Sequence, residues 1–224
     1  MPSAEREARE SRAAEPELIT DPDLKAEAEA ANGLLQYDYA VKSVSEALER
    51  KPFKLRVSRI LSFQREALQG ISAFAGLTRP AGVQIEGSMH EPPAAHLAQE
   101  LLEEMCDYVN EHWKDASAIH LAAYAMWRLN WIHPFVDGNG RTSRILSFYV
   151  MSVKLGSVLP GTPTFPDLVK AHRDAYEDAL DLADAACKEG RTDVTAMEAL
   201  IESLLAKQLA RVYELAGGRT LDPS

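Results

Sequence analysis

Cysteine is scarce. Cys106 and Cys187 are the only two in 224 residues and stand 81 positions apart, which excludes a disulfide framework and reads as two reduced thiols of an intracellular protein. Long apolar runs are missing as well, and none approaches the ~18 residues needed to span a bilayer. The opening stretch, MPSAEREARESRAAEPE, lacks the apolar segment of a secretory signal and carries too many glutamates for a transit peptide. The expectation is a cytoplasmic chain with no membrane partner, and delivery into another cell is compatible with it. Positive charge is in the minority, 24 Lys and Arg against 34 Asp and Glu, for a net charge of −10. Duplex binding needs clustered Lys and Arg, so no direct nucleic-acid partner is expected, although a local basic patch would escape this count. Repeats and low-complexity tracts are absent, and almost nothing reads as strand.

What is there is helix. In ITDPDLKAEAEAANGLLQYDYAVKSVSEALERK, Thr20 or Asp21 can cap a helix and Pro22 suits its first turn. Ala28, Ala31, Leu34, Leu35 and Val41 give it an apolar face, interrupted by Gly33 at a cost of about 1 kcal/mol that would allow two shorter helices. VSRILSFQREALQG follows with Ile60, Leu61 and Leu68 inward. HLAQELLEEMCDYVNEHW is helical, and SAIHLAAYAMWRLNWIHPF is apolar enough, at Leu121, Tyr124, Met126, Trp127 and Leu129, to be a central buried helix that Pro134 stops. RTSRILSFYVMSVKLG, one helix from a Thr164 cap to Gly190, and DVTAMEALIESLLAKQLARVYELAGG complete the chain. The exception is GLTRPAGVQIEGSMHEPP, where Val83 and Ile85 alternate with Gln84 and Glu86, the pattern of a short strand. With no other strand to join, a small exposed hairpin is expected. The class is all-α with one β-hairpin, and 46% hydrophobic residues suffice for one sizeable core.

The helical pattern breaks most sharply at WIHPFVDGNGRTSRILSF, Trp131 to Phe148. One helix ends near Ile132 and another starts near Gly138 to Arg141. Helix N-termini leave N–H groups unpaired, and these bind anions. Gly138 and Gly140 remove side chains where a phosphate must approach the backbone, and Asn139 adds an amide and tolerates a tight turn. Arg141 and Arg144, three apart, project from the first turn as two guanidinium forks suited to a polyphosphate. The carboxylate of Asp137 would repel such a ligand unless a divalent cation such as Mg²⁺ lay between them. His133, on the other lip, is placed to take a proton from an incoming hydroxyl.

HPFVDGNGRTSR, His133 to Arg144, resembles the signature of the Fic family, His-Pro-Phe-x-Asp/Glu-Gly-Asn-Gly-Arg-x-x-Arg, at every fixed position. LTRPAGVQIEGSMHEPPAAHLAQEL is similar to the flap region of that family, and HRDAYEDAL to a helix that follows the motif; the likeness runs from about Phe63 to about Leu182. It implies a Fic-type helical bundle with a small β-hairpin flap, divided here into a frayed tail (residues 1–16), a helical extension (17–55), the core domain (56–190), and a C-terminal helix and tail (191–224). It also implies transfer of AMP from ATP to a Tyr, Thr or Ser hydroxyl of a target protein, with pyrophosphate released. His133 would be the base, Phe135 the loop anchor, Asp137 the Mg²⁺ ligand, and Gly138, Asn139 and Gly140 the anion cradle. Arg141 would meet the β-phosphate and Arg144 the γ-phosphate. The flap strand Val83, Gln84, Ile85 and Glu86 would pair with an extended target segment.

Many members of this family carry an inhibitory Ser/Thr-x-x-x-Glu-Gly/Asn helix. Ser11 with Glu15, Ser45 with Glu49 and Ser62 with Glu66 have its first two elements, and none is followed by Gly or Asn. Ser45 and Glu49, in the helix before the core, are the best placed for this role; a separate antitoxin partner would supply the brake instead. Self-association to a homo-oligomer is a further candidate. Beside AMP transfer stand two other readings: removal of AMP or transfer of another phosphate-containing group, and nucleotide binding without turnover.

Overall fold

The structure, a computed structural model, describes residues 9–12, 15–16 and 18–217. Among these it forms eight α-helices and two short strands. In chain order they are β1 (Glu10–Arg12), α1 (Pro22–Glu49), α2 (Val57–Leu68), β2 (Gln84–Glu86), α3 (Ala98–Glu111), α4 (Ala118–Ile132), α5 (Asn139–Leu155), α6 (Phe165–Ala171), α7 (Arg173–Lys188) and α8 (Thr195–Leu215). The helical class holds. None of the helices is long and apolar enough to cross a membrane. Cys106 and Cys187 are both free, and burial pushes the Cys106 thiol up to about 12.

The core is built around α4, which buries nine residues on all sides, among them Leu121, Tyr124, Met126, Trp127 and Leu129. α5 lies along it and is almost as enclosed, from Ile145 to Val153. α1 and α2 cover α5 on one side, and α3, α7 and α8 surround α4 on the others. The two segments expected as extensions share this core through Ala40 and Val44 of α1 and through Met197, Ile201 and Leu204 of α8.

Four expectations need correction. α1 runs unbroken through Gly33, and it turns a different face inward. Leu34 is 72% exposed and Leu35 48%, while Asn32, Gln36, Ala40, Ser43 and Val44 are buried. The reason is polar. Asn32 Nδ2 donates to the Gln69 carbonyl, just past the end of α2, at 2.9 Å, and Gln36 Nε2 donates to that of Phe63, in the middle of α2, at 3.0 Å. Second, the long helix after Thr164 is two. Thr164 caps α6 through a capping box with Asp167, and the backbone leaves the helix at His172 (φ −106°, ψ 45°); neither glycine nor proline marks the break. Third, β2 exists, but not in a hairpin. It pairs antiparallel with β1, Glu10 opposite Glu86, Ser11 opposite Ile85 and Arg12 opposite Gln84. The chain after Glu86 turns away at Gly87 (φ 70°) toward Pro92 and Pro93, which have no N–H to give a ladder. Fourth, the frayed-tail reading fails at residues 10–12, because the open edge of β2 takes up an extended segment. The remaining tail positions, 1–8, 13–14 and 218–224, lie outside the described residues.

Candidate active site

α4 ends where His133 adopts a left-handed backbone (φ 49°, ψ 57°), the one non-glycine residue with positive φ among those described. Pro134 then carries the chain out of the helix. Phe135 and Val136 plug the turn into the core at 0% and 4% exposure. Asn139 holds the turn shut: its Oδ1 accepts from the Phe135 N–H at 3.0 Å and its Nδ2 donates to the Phe135 carbonyl at 2.9 Å. The amide expected to serve an anion is thus largely committed to the loop. Gly138 starts α5 in the left-handed region (φ 79°), where a Cβ would also lie 3.2 Å from Leu68 Cδ1.

A buried arginine latches this turn to the flap. Arg79 Nε donates to the His133 carbonyl at 2.8 Å, Nη1 to Ala81 at 2.9 Å, and Nη2 to Pro93. Its own N–H donates to the Pro134 carbonyl at 2.8 Å. Three carbonyls, not a carboxylate, satisfy its fork, and burial lowers its pKa.

The imidazole of His133 is nearly enclosed. Nδ1 donates to the Asn130 carbonyl at 3.3 Å, which assigns the lone pair to Nε2. Nε2 faces a cavity of about 520 Å³ and accepts the Ser11 hydroxyl at 2.7 Å. Burial, aided by the charges of His90 and Arg79 and opposed by Asn130 and Asp137, brings its pKa down to about 4. It is therefore neutral at physiological pH, as a proton acceptor must be.

The cavity floor is the N-terminus of α5, which no side chain caps, so first-turn N–H groups are left for a ligand. Arg141 Nη2 donates to Asp137 Oδ2 at 3.1 Å and lies 3.8 Å from Glu29 Oε1 of α1. Arg144 is enclosed, and burial lowers its pKa; Tyr176 is its hydrogen-bonding partner. No carboxylate pairs with it among the described residues. Gly140 makes room for it, since a Cβ there would stand 3.2 Å from Arg144 Nη1. Lys25, Lys170 and Arg173 add to the lining, a basic patch in an acidic chain.

Residues 54–151 match the Fic/DOC family model. They form a Fic domain. A protein adenylyltransferase Fic from Drosophila persimilis is 34% identical over 117 residues, 51% of this chain and 22% of the relative. The chain thus spans about a fifth of the length of the curated relatives it matches first. Fic-1 from C. elegans superposes with a TM-score of 0.66 at 21% identity, covering 89% of this chain and 55% of that one. BepC from Bartonella tribocorum, solved with bound AMPPNP, gives 0.55 at 18% identity over 83% of this chain and 88% of that one. At these identities the two structures establish a shared Fic fold.

Within this Fic domain, His133, Asp137, Gly138, Asn139, Gly140, Arg141, Arg144 and Ile85 line one cavity. Val83 is buried beneath the flap, with Gln84 and Glu86 along its strand. Ser45 and Glu49 are not brought there. They sit in the last turns of α1, Ser45 donating to its own helix at Val41 and Glu49 exposed to solvent. Among the described residues the carboxylate from outside the motif that does reach one of its arginines is Glu29, five turns earlier on the same helix. It was missed because Lys25 and Ala30 flank it where the inhibitory pattern has Ser/Thr and Gly/Asn. Arg79 was also missed, since a lone arginine in a loop carries no local signal, and Ser11 was noted only as part of an inhibitory pattern with Glu15, because nothing in its charged surroundings points to His133. Among the described residues no cluster of three or more His, Cys, Asp or Glu could hold a metal alone. Asp137, half-exposed on the lip beside the phosphate cradle, fits a cation that takes one carboxylate and completes its shell with phosphate oxygens and water.

Proposed function

We propose that this chain transfers the AMP moiety of ATP to a hydroxyl of a protein substrate. The observation that carries this reading is the neutral His133 Nε2, accepting a hydroxyl at 2.7 Å above an uncapped helix N-terminus beside Arg144, which has no carboxylate partner among the described residues. A target Ser, Thr or Tyr hydroxyl takes the place of the Ser11 hydroxyl and gives its proton to Nε2. Its oxygen attacks the α-phosphorus, the bond from that phosphorus to the α,β-bridging oxygen breaks, and pyrophosphate leaves. The N–H groups around Gly140, with Arg141 at the β-phosphate and Arg144 at the γ-phosphate, hold the charge of the leaving group. Mg²⁺ held by Asp137 would supply further charge neutralisation at the α- and β-phosphates. Positioning and charge, not covalent chemistry, then account for the rate.

The names of the curated relatives and the AMPPNP in BepC support this reading. The target's extended segment docks along the edge of β2, and Glu29 competes with phosphate for Arg141, a restraint that acts from within the chain. Two free thiols and the lack of a membrane-crossing helix among the described residues fit a cytoplasmic site of action. The test is incubation of the full chain with ATP labelled at the α-phosphate, Mg²⁺ and cell extract. Labelled protein and released pyrophosphate are expected with the natural chain and lost with His133→Ala; equal labelling by both would overturn the reading.

A further inference from the structure

The edge of β2 that a target would use is occupied by the chain itself. β1 continues the flap as a second strand, with Ser11 opposite Ile85. Two anchors bracket it. Before it, Arg9 Nη2 donates to Asp181 Oδ1 at 2.7 Å, and its Nε lies 3.7 Å from Glu177 Oε2, both on α7. After it, Glu15 Oε1 accepts from the Ala73 N–H at 2.8 Å. Between the anchors the Ser11 hydroxyl stands 2.7 Å from His133 Nε2 and 3.4 Å from Asn139 Nδ2, and it lines the same cavity as the phosphate cradle. A hydroxyl within 2.6–3.2 Å of a neutral base is the arrangement of an activated nucleophile.

We infer that Ser11 is a modification site, the acceptor hydroxyl for adenylyl transfer within the same chain. The inference rests on the adenylyl-transfer reading above and adds its substrate. Ser11 Oγ attacks the α-phosphorus of bound ATP and its proton passes to His133 Nε2. An ester bond from Oγ to the α-phosphorus forms, the bond from that phosphorus to the bridging oxygen breaks, and pyrophosphate leaves. Because β1 is held on the flap by the chain's own ladder and anchors, no encounter between molecules is needed. The product is a phosphodiester on Ser11, which adds a negative charge to a segment already docked beside Arg141 and Arg144. A separate target needs the same strand edge, so β1 must leave before that target can bind.

The test uses the full chain with Mg²⁺ and ATP labelled at the α-phosphate, followed by tandem mass spectrometry. One adenylate on Ser11 is expected, at a rate per molecule independent of protein concentration. Ser11→Ala should lower self-labelling at least tenfold, Ser11→Thr should retain it, and His133→Ala should abolish it. In a mixture of tagged His133→Ala chain, which keeps Ser11, with Ser11→Ala chain, which keeps the base, the tagged chain should stay unlabelled. Labelling of the tagged chain there, or a rate that rises with concentration, would overturn transfer within the chain. Ser11→Ala labelling itself as fast as the natural chain, or His133-dependent label reaching only other residues or other proteins, would overturn the inference and leave adenylyl transfer standing. Absence of transferred label and of pyrophosphate from every chain, with extract proteins present, would overturn both.

Discussion

Two glycines at the start of α5 meet different obstacles if each is given a methyl group. At Gly140 the backbone is helical, and the one close neighbour of an ideal Cβ is Arg144 Nη1 at 3.2 Å. Alanine is the better helix former by up to ~1 kcal/mol, less in a first turn. With ~2–4 °C per kcal/mol for a chain of this size, Gly140→Ala should hold the melting temperature or raise it by up to ~2 °C. Its cost falls on the ligand. The methyl stands where phosphate would approach and presses the Arg144 guanidinium aside by a few tenths of an ångström, so ATP binding should weaken roughly tenfold, about 1.4 kcal/mol. At Gly138 the sign on stability reverses. An L side chain at φ 79° costs ~1–2 kcal/mol, and Leu68 Cδ1 at 3.2 Å must also yield, so Gly138→Ala should melt about 3–6 °C lower. Differential scanning fluorimetry gives the first quantity and isothermal titration with a non-hydrolysable ATP analogue the second. A Gly140→Ala chain that melts below Gly138→Ala, or that binds nucleotide like the natural chain, would refute the assignment of Gly140 to the cradle.

Four other outcomes follow from the same geometry. Burial of the His133 imidazole, aided by His90 and Arg79 and opposed by Asn130 and Asp137, lowers its pKa to about 4. The base therefore stays neutral and competent down to about pH 5, and the acidic limb of kcat/KM should lie near pH 4; a limb near 6.5 would contradict this. The unfolded chain binds this proton below about pH 6.5 while the folded one does not, so stability falls by up to about 3 kcal/mol between pH 6.5 and 4, and urea titrations of His133→Asn should show a shallower loss over that window. Arg79→Met leaves the carbonyls of His133, Ala81 and Pro93 without their buried donor and should cost about 3 kcal/mol; a denaturation midpoint equal to that of the natural chain would remove Arg79 from its latch role. Glu29→Ala releases Arg141 from a part-exposed contact worth ~0–1 kcal/mol and should tighten ATP binding up to about fivefold, measured by titration; weaker binding would show that Glu29 helps nucleotide in rather than keeping it out.

The helices around the site were legible because α4 and α5 have continuous apolar sequences that leave no alternative to burial. The turn between them was legible because Pro134, Gly138 and Gly140 each have a backbone reason to be there. What escaped was nonlocal. Leu34 and Leu35 outvote Asn32 and Gln36 in any count of apolar residues, yet the two amides face inward because the carbonyls of Gln69 and Phe63 accept from them. The break at His172 has no glycine or proline to announce it. Ser45 and Glu49 satisfied part of a pattern by spacing alone, whereas Glu29 reaches Arg141 through the angle at which α1 crosses α5, which no spacing encodes. Ser11 meets His133 across 122 positions of chain, and only the open edge of β2 explains why a charged segment settles there.

The central claim is that the reacting atom is the α-phosphorus, placed beside His133 by a cradle that grips the two phosphates beyond it. Parallel reactions with ATP labelled at the α-phosphate and at the γ-phosphate test it most directly. The account requires the α-label to remain on protein, in a His133-dependent manner, and the γ-label to leave wholly as pyrophosphate. Retention of the γ-label on protein, with the α-label left in free ADP, would mean phosphoryl transfer and would contradict it.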